Sequence, residues 1–163
     1  MEALSKLVVH VSSTVGSTMH EDTGPAGVNG GRTDLRTGWP VGWGRVEKTL
    51  TPDGREAEAL VLMREPALPG VDVTARPVAV LHLGGDEPGD EILCVAEEQC
   101  FSALTDRKDL PHWHADPDAW ASVLDRMLPG HAHQVVGCSS AVEADHLVDE
   151  VYRAYLRSTG CPE

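Results

Sequence analysis

The chain has 163 residues, 41% of them hydrophobic and 24% charged, which suits one globular domain over residues 1–163 and excludes a disordered chain. Asp plus Glu number 26 against 13 Lys plus Arg, a formal charge of −13, and no basic cluster offers the counterion release that nucleic acid or an anionic membrane surface requires. No run approaches the roughly 20 apolar residues that span a bilayer, and the apolar stretch within Met1 to Val11 is too short for a secretory leader, so the expectation is a cytoplasmic protein.

Lys6 to Val11 reads as a strand, and Ser12 to Gly38 as a loop-rich stretch with a turn at Gly30-Gly31. Ala57 to Met63 is an apolar run of strand length. Val71 to Arg76 alternates with period two, and Pro77 predicts a bulge or bend before Val78 to Leu83. Gly84 to Asp90 reads as a tight acidic turn, after which Ile92 to Val95 returns as a buried strand. Asp116 is a good helix N-cap with Pro117 at the first helical position, and Trp120, Val123, Leu124 and Met127 fall on one face. Pro129-Gly130 ends that helix. Val135-Val136 forms a last strand. Ser140-x-x-Glu143 is a capping box, followed by Ala144, Leu147, Val148, Val151 and Tyr155 at helical spacing. Strands first and helices afterwards predict an α+β fold built on a small barrel.

Cys94, Cys100, Cys138 and Cys161 form no Cys-x-x-Cys pair, so reduced thiols are expected, with Cys94 and Cys138 as small buried side chains. No Gly-x-Ser-x-Gly element supports a Ser/His/Asp triad, and no Walker or Rossmann glycine pattern is present. His112-x-His114 and His131-x-His133 each place two imidazoles two residues apart, and both pairs are expected at the surface or at subunit contacts.

Asp53-Gly54-Arg55-Glu56-Ala57-Glu58-Ala59-Leu60-Val61 resembles the metal-site signature of the soluble (family I) inorganic pyrophosphatases, Asp-Gly-Asp-Pro-x-Asp-Val-Leu-Val, with an arginine in place of the middle carboxylate. Trp39-Pro40-Val41-Gly42-Trp43-Gly44 stands where that family carries Tyr-Pro-x-x-Tyr-Gly. Pro69-Gly70, Ala75 to Leu81, Asp86-Glu87-x-Gly89 and Lys108-Asp109-Leu110-Pro111 are similar to further landmarks at matching intervals. The resemblance runs from about Gly38 to Leu156. It implies a five-stranded OB-like β-barrel with flanking C-terminal helices, a homo-oligomer (hexamer or trimer), and Mg²⁺ or Mn²⁺ held by Asp53, Glu58 and Asp86 with Asp90.

The chemistry does not carry over whole. By the same register Met19 and Asp125 stand where the family has lysines, and Glu91 takes the slot of a third. Arg32 or Arg36 is left to replace the family arginine. A charge-assisted hydrogen bond contributes roughly 1.5–3 kcal/mol, so losing three weakens transition-state binding by about 10³- to 10⁶-fold. Arg55 occupies the position that activates the attacking water, and a guanidinium is no base near neutral pH.

The resulting expectation is a repurposed enzyme acting on a small organic substrate, carboxylate-bearing by this reading, in a specialised biosynthetic pathway. Arg55 would anchor a carboxylate, Trp39 and Trp43 would line its pocket, and His10 or Glu21 would move protons. His20 also lies near the cleft in this register. The alternatives are a non-catalytic ligand-binding or assembly protein and a residual Mg²⁺-dependent diphosphatase. The acids, for their part, either hold an ion or are neutralised by Arg55 itself.

Overall fold

A computed structural model of the chain describes residues 6–21, 38–85, 89–130 and 133–160. Strand β1 (Leu7–Val15) buries Leu7, Val9 and Val11 and turns Val8 and His10 outward, the two-residue period of a strand with one face in a core. Strands β2 (Val41–Val46), β3 (Glu58–Leu62), β4 (Asp72–Gly85) and β5 (Gly89–Ala96) follow. They bond in the order β1-β2-β3-β5-β4, and β4 pairs back to β1, which closes a five-stranded ring. Only β3 and β5 run parallel within it. The expected OB-like α+β barrel is therefore what the chain forms.

Strand β4 spans 14 residues and serves two neighbours on one edge. Its Asp72–Ala75 portion closes the ring against β1, and its Val80–Gly85 portion accepts β6 (His133–Ser139) as a sixth strand outside it. The register against β5 slips between Pro77 and Ala79, where Pro77, lacking an amide hydrogen, makes the bulge the sequence predicts. Arg76 beside it donates to the carbonyls of Leu104 and Phe101, each at 3.0 Å, tying β4 to the segment after β5.

Helix α1 (Pro117–Met127) begins as expected: Asp116 caps it by accepting from the Ala119 amide at 2.9 Å, and Trp120, Val123, Leu124 and Met127 are buried. Helix α2 (Ala141–Ser158) is capped by Ser140, which accepts from the Glu143 amide at 3.4 Å. Two departures from the sequence reading stand out. Strand β1 continues to Val15, into the stretch read as loop, with a register shift between Val11 and Ser13. A 3-10 turn at Arg107–Trp113, closed by a reciprocal Asp106/Asp109 capping box, was not foreseen. Gly30-Gly31, Arg32 and Arg36 lie outside the described residues. Among the described residues no helix is long and apolar enough to cross a membrane.

Candidate functional site

Strand pairing lines up one ionisable residue from each ring strand. Asp72 is opposite His10, His10 opposite Arg45, and Arg45 opposite Glu58. Ala59 pairs with Ile92, so Glu58 stands beside Glu91. Because partners across a sheet project to the same face, the five form a transverse polar row on the outer face of the barrel. Trp43 lies two residues before Arg45 and shares that face.

Over the β2-β3-β5 part of this row opens a cleft of about 650 Å³. Its polar lining includes Arg45, Arg55, Glu58, Asp90, Glu91 and His133; Trp43, Leu128, Leu147 and Val151 supply apolar wall. The β2–β3 loop positions Arg55. Pro52 sits second in a turn closed by Gly54 N donating to Thr51 O at 2.9 Å, and Thr51 N then donates to Arg55 O at 2.7 Å. Gly54 has φ of 84°, a left-handed conformation that glycine adopts without strain.

Glu91 was expected only as the residue standing in a lost lysine's slot. It is 5% exposed. Burial first, then a hydrogen bond with Glu58 and that residue's charge, push its carboxyl well above the ordinary carboxylate range. The Trp43 indole N–H pulls in the opposite direction, yet neither its Nε1 nor Glu91 Oε1 completes a hydrogen bond within the protein. His133 corrects a second expectation. Its side chain is 3% exposed, lines the cleft and donates from Nδ1 to Asp125 Oδ1 at 2.9 Å, so it is not a surface residue. Asp125, which by resemblance stands at a lysine position, thus holds an imidazole.

The remaining predicted residues divide. Asp53 and Glu58 line the cleft with Arg55, whose Nη2 lies 3.5 Å from Asp53 Oδ2; that pair is mostly exposed and weak. Asp90 reaches the rim, but its carboxylate accepts from His82 at 2.8 Å. His10 is outside the cleft lining and donates to Asp72 at 2.5 Å, which raises its pKa; Glu47 lies 3.7 Å from its other nitrogen. Glu21 faces His112 at 3.7 Å, and His20 stacks on His114 with ring centroids 4.7 Å apart, so neither lines the cleft. Trp39 packs edge-on against Phe101 at 5.4 Å, the packing role, while Trp43 alone of the pair lines the cleft. Met19 is fully buried in the core. Cys94 is buried and Cys138 half-buried, and both are free thiols. Asp86 and His131 lie outside the described residues.

Sequence reasoning missed Arg45 and the roles of Glu91 and His133. Strand parity was the available signal for Arg45, two residues after Trp43. Nothing local marks the other two.

A closed OB-type barrel with two C-terminal helices carries an acid-rich cleft over β2-β3-β5 and defines an OB-like α+β fold. The family model described as inorganic pyrophosphatase matches residues 33–156, and the chain belongs to that family. Its relatives include the inorganic pyrophosphatase of Leifsonia xyli subsp. xyli, 29% identical over 113 residues, covering 68% of this chain and 69% of that one. The enzyme of Xanthomonas axonopodis pv. citri is 30% identical over 122 residues, covering 72% and 68%. Among solved structures, inorganic pyrophosphatase from Thermus thermophilus superposes with a TM-score of 0.67 at 21% identity, over 95% of this chain and 94% of that one. The Helicobacter pylori enzyme gives 0.65 at 21% identity, covering 95% and 98%.

Proposed function

We propose that the cleft binds a small organic anion and carries out proton-transfer chemistry on it, as a pyrophosphatase-fold enzyme turned away from pyrophosphate. The observation that carries this reading is the buried Glu91 beside Glu58, on the face that Trp43 and Arg45 share, in a cleft that Arg55 also lines. Pyrophosphate hydrolysis needs ionised carboxylates holding several cations and a base for water. Here burial and the neighbouring Glu58 favour the protonated form of Glu91, and the middle signature position is a guanidinium. A planar carboxylate suits Arg45 and Arg55, which donate in forks, and Trp43 offers an apolar face with one unmet N–H. Glu91 would give a proton, and His133, oriented by Asp125, would take one. His10 and Glu21, first assigned that role, support it less well, because their partners lie outside the cleft.

Thermal-shift screening with small mono- and dicarboxylates tests the reading. Ligands that stabilise the wild type should bind roughly 10- to 100-fold more weakly to Arg55→Ala and to Arg45→Ala, the loss of one charge-assisted contact each. If no carboxylate binds, or both variants bind as the wild type does, the anion site is wrong. A homo-oligomer and a cytoplasmic setting remain part of the proposal by family membership.

The family implies Mg²⁺ or Mn²⁺. Among the described residues no three His, Cys, Asp or Glu side chains converge as a metal-holding group. Among the described donors, Asp53 lies 3.5 Å from the Arg55 guanidinium, Asp90 accepts from His82, and Glu58 sits beside the raised Glu91 carboxyl, a set that fits a hydrated hard cation poorly. Calorimetry with either ion at millimolar concentration should give no saturable heat in the wild type. Arg55→Asp, which restores the missing carboxylate, should gain it. Saturable heat in the wild type would show that an ion displaces Arg55.

A second reading, residual diphosphatase activity, is favoured by family membership and by the retained Asp53 and Glu58. Phosphate release from pyrophosphate separates it from the first.

A further inference from the structure

Three adjacent strands on the far side of the cleft rim bring together a carboxylate, an imidazole and a hydroxyl. His82 of β4 lies directly opposite Asp90 of β5, and its Nδ1 is 2.8 Å from Asp90 Oδ1. On its other side His82 is opposite Gly137 of β6, and its Nε2 is 2.7 Å from the Oγ of Ser139, two residues on. The β4–β6 register also slips between His82 and Leu83, the kind of bulge that re-aims a side chain.

The hydrogen bonds fix the proton positions. An ionised Asp90 can only accept, so Nδ1 carries the hydrogen and Nε2 is the acceptor. Ser139 must then donate its hydroxyl hydrogen to Nε2. That is the order carboxylate–imidazole–hydroxyl in which a base activates a nucleophile and a third group orients the base. Ser139 also stands one residue before the N-cap of α2, an 18-residue helix whose positive end favours developing negative charge. Arg107 donates to the carbonyl of Cys138, at 2.9 Å, immediately beside it. The group is reachable, with 39% of the His82 side chain and 51% of Asp90 exposed.

We infer that Asp90, His82 and Ser139 form a second catalytic centre, a serine-nucleophile site for acyl transfer from small activated esters. Ser139 Oγ bonds to the acyl carbon as its hydrogen passes to His82 Nε2. Asp90 stabilises the imidazolium. The bond to the leaving alkoxide breaks, and His82 returns the proton to it. Water, deprotonated by the same imidazole, then releases the acid and frees Ser139. The inference does not rest on the cleft's anion site, with which it shares only Asp90 at the rim.

A fluorophosphonate probe tests it, since Ser139 would displace fluoride and retain the phosphonyl group. Intact-mass measurement and peptide mapping should show one adduct, on Ser139, together with release of p-nitrophenol from p-nitrophenyl acetate. Ser139→Ala should lose both. His82→Gln and Asp90→Asn should slow both by roughly 10²- to 10⁴-fold while circular dichroism shows the fold intact. Ser139→Ala removes only one hydroxyl and is the variant that keeps the test valid if the others fail to fold. An unlabelled wild type, an adduct that persists in Ser139→Ala, or labelling of Ser139 at wild-type rate without the imidazole overturns the triad and leaves a purely structural hydrogen-bond chain.

Discussion

Glu91→Gln is expected to melt above the wild type at pH 8, by about 5 °C or more, and close to it at pH 5. Glu91 is buried beside Glu58, and its raised pKa means that the folded state binds the proton more tightly than the unfolded chain does. In the folded state burial is the main cause and Glu58 the next. Stability from this group is therefore full below the unfolded value near 4.5 and is lost as pH rises from there through the raised folded pKa. Ionising a carboxyl in place costs on the order of several kcal/mol, and a domain of this size shifts by roughly 2–4 °C per kcal/mol. Glutamine keeps the shape and cannot ionise. Melting curves from pH 4 to 9 check this: parallel profiles for the two proteins would mean that Glu91 ionises without penalty.

His10 gives a useful contrast. Its pKa is raised mainly by the hydrogen bond to Asp72, so its contribution is present below 6.5 and lost as pH rises through the folded value. The pair is about half exposed, so solvent screening keeps that contribution small. The two pH dependences fall in the same direction, but only the Glu91 component disappears in the glutamine variant.

The barrel was legible because its signals are local. Alternation at Leu7, Val9 and Val11, the proline at Pro77 and the caps at Asp116 and Ser140 each act within a few residues, and each sits where it was expected. The landmark motifs then supplied the barrel type. The site was legible only in part, because its chemistry depends on register between distant strands. Glu58 and Glu91 meet through the parallel β3–β5 pairing, His133 reaches Asp125 across β6 and α1, and Ser139 reaches His82 across a bulge. No spacing in the sequence encodes those distances. Burial was equally hidden: Glu91 and His133 carry no local mark that separates them from solvated neighbours. Conversely, His10 and Glu21 were plausible proton carriers until their exposed partners, Asp72 and His112, were located.

The measurement that bears most directly on the central claim is phosphate release from pyrophosphate with Mg²⁺ or Mn²⁺. By resemblance to the family signature, buried Met19 and His133-bound Asp125 stand at two lysine positions, Glu91, its carboxyl pushed up by burial, stands at a third, and Arg55 replaces the base. Three lost charge-assisted contacts correspond to about 10³- to 10⁶-fold in transition-state binding. The wild-type protein should therefore turn over pyrophosphate below about 0.1 s⁻¹, at least 10³-fold under an efficient enzyme. Turnover near 10² s⁻¹ or above would contradict the account: the ancestral site would then be working with Arg55 in place, and the rebuilt cleft would not exist.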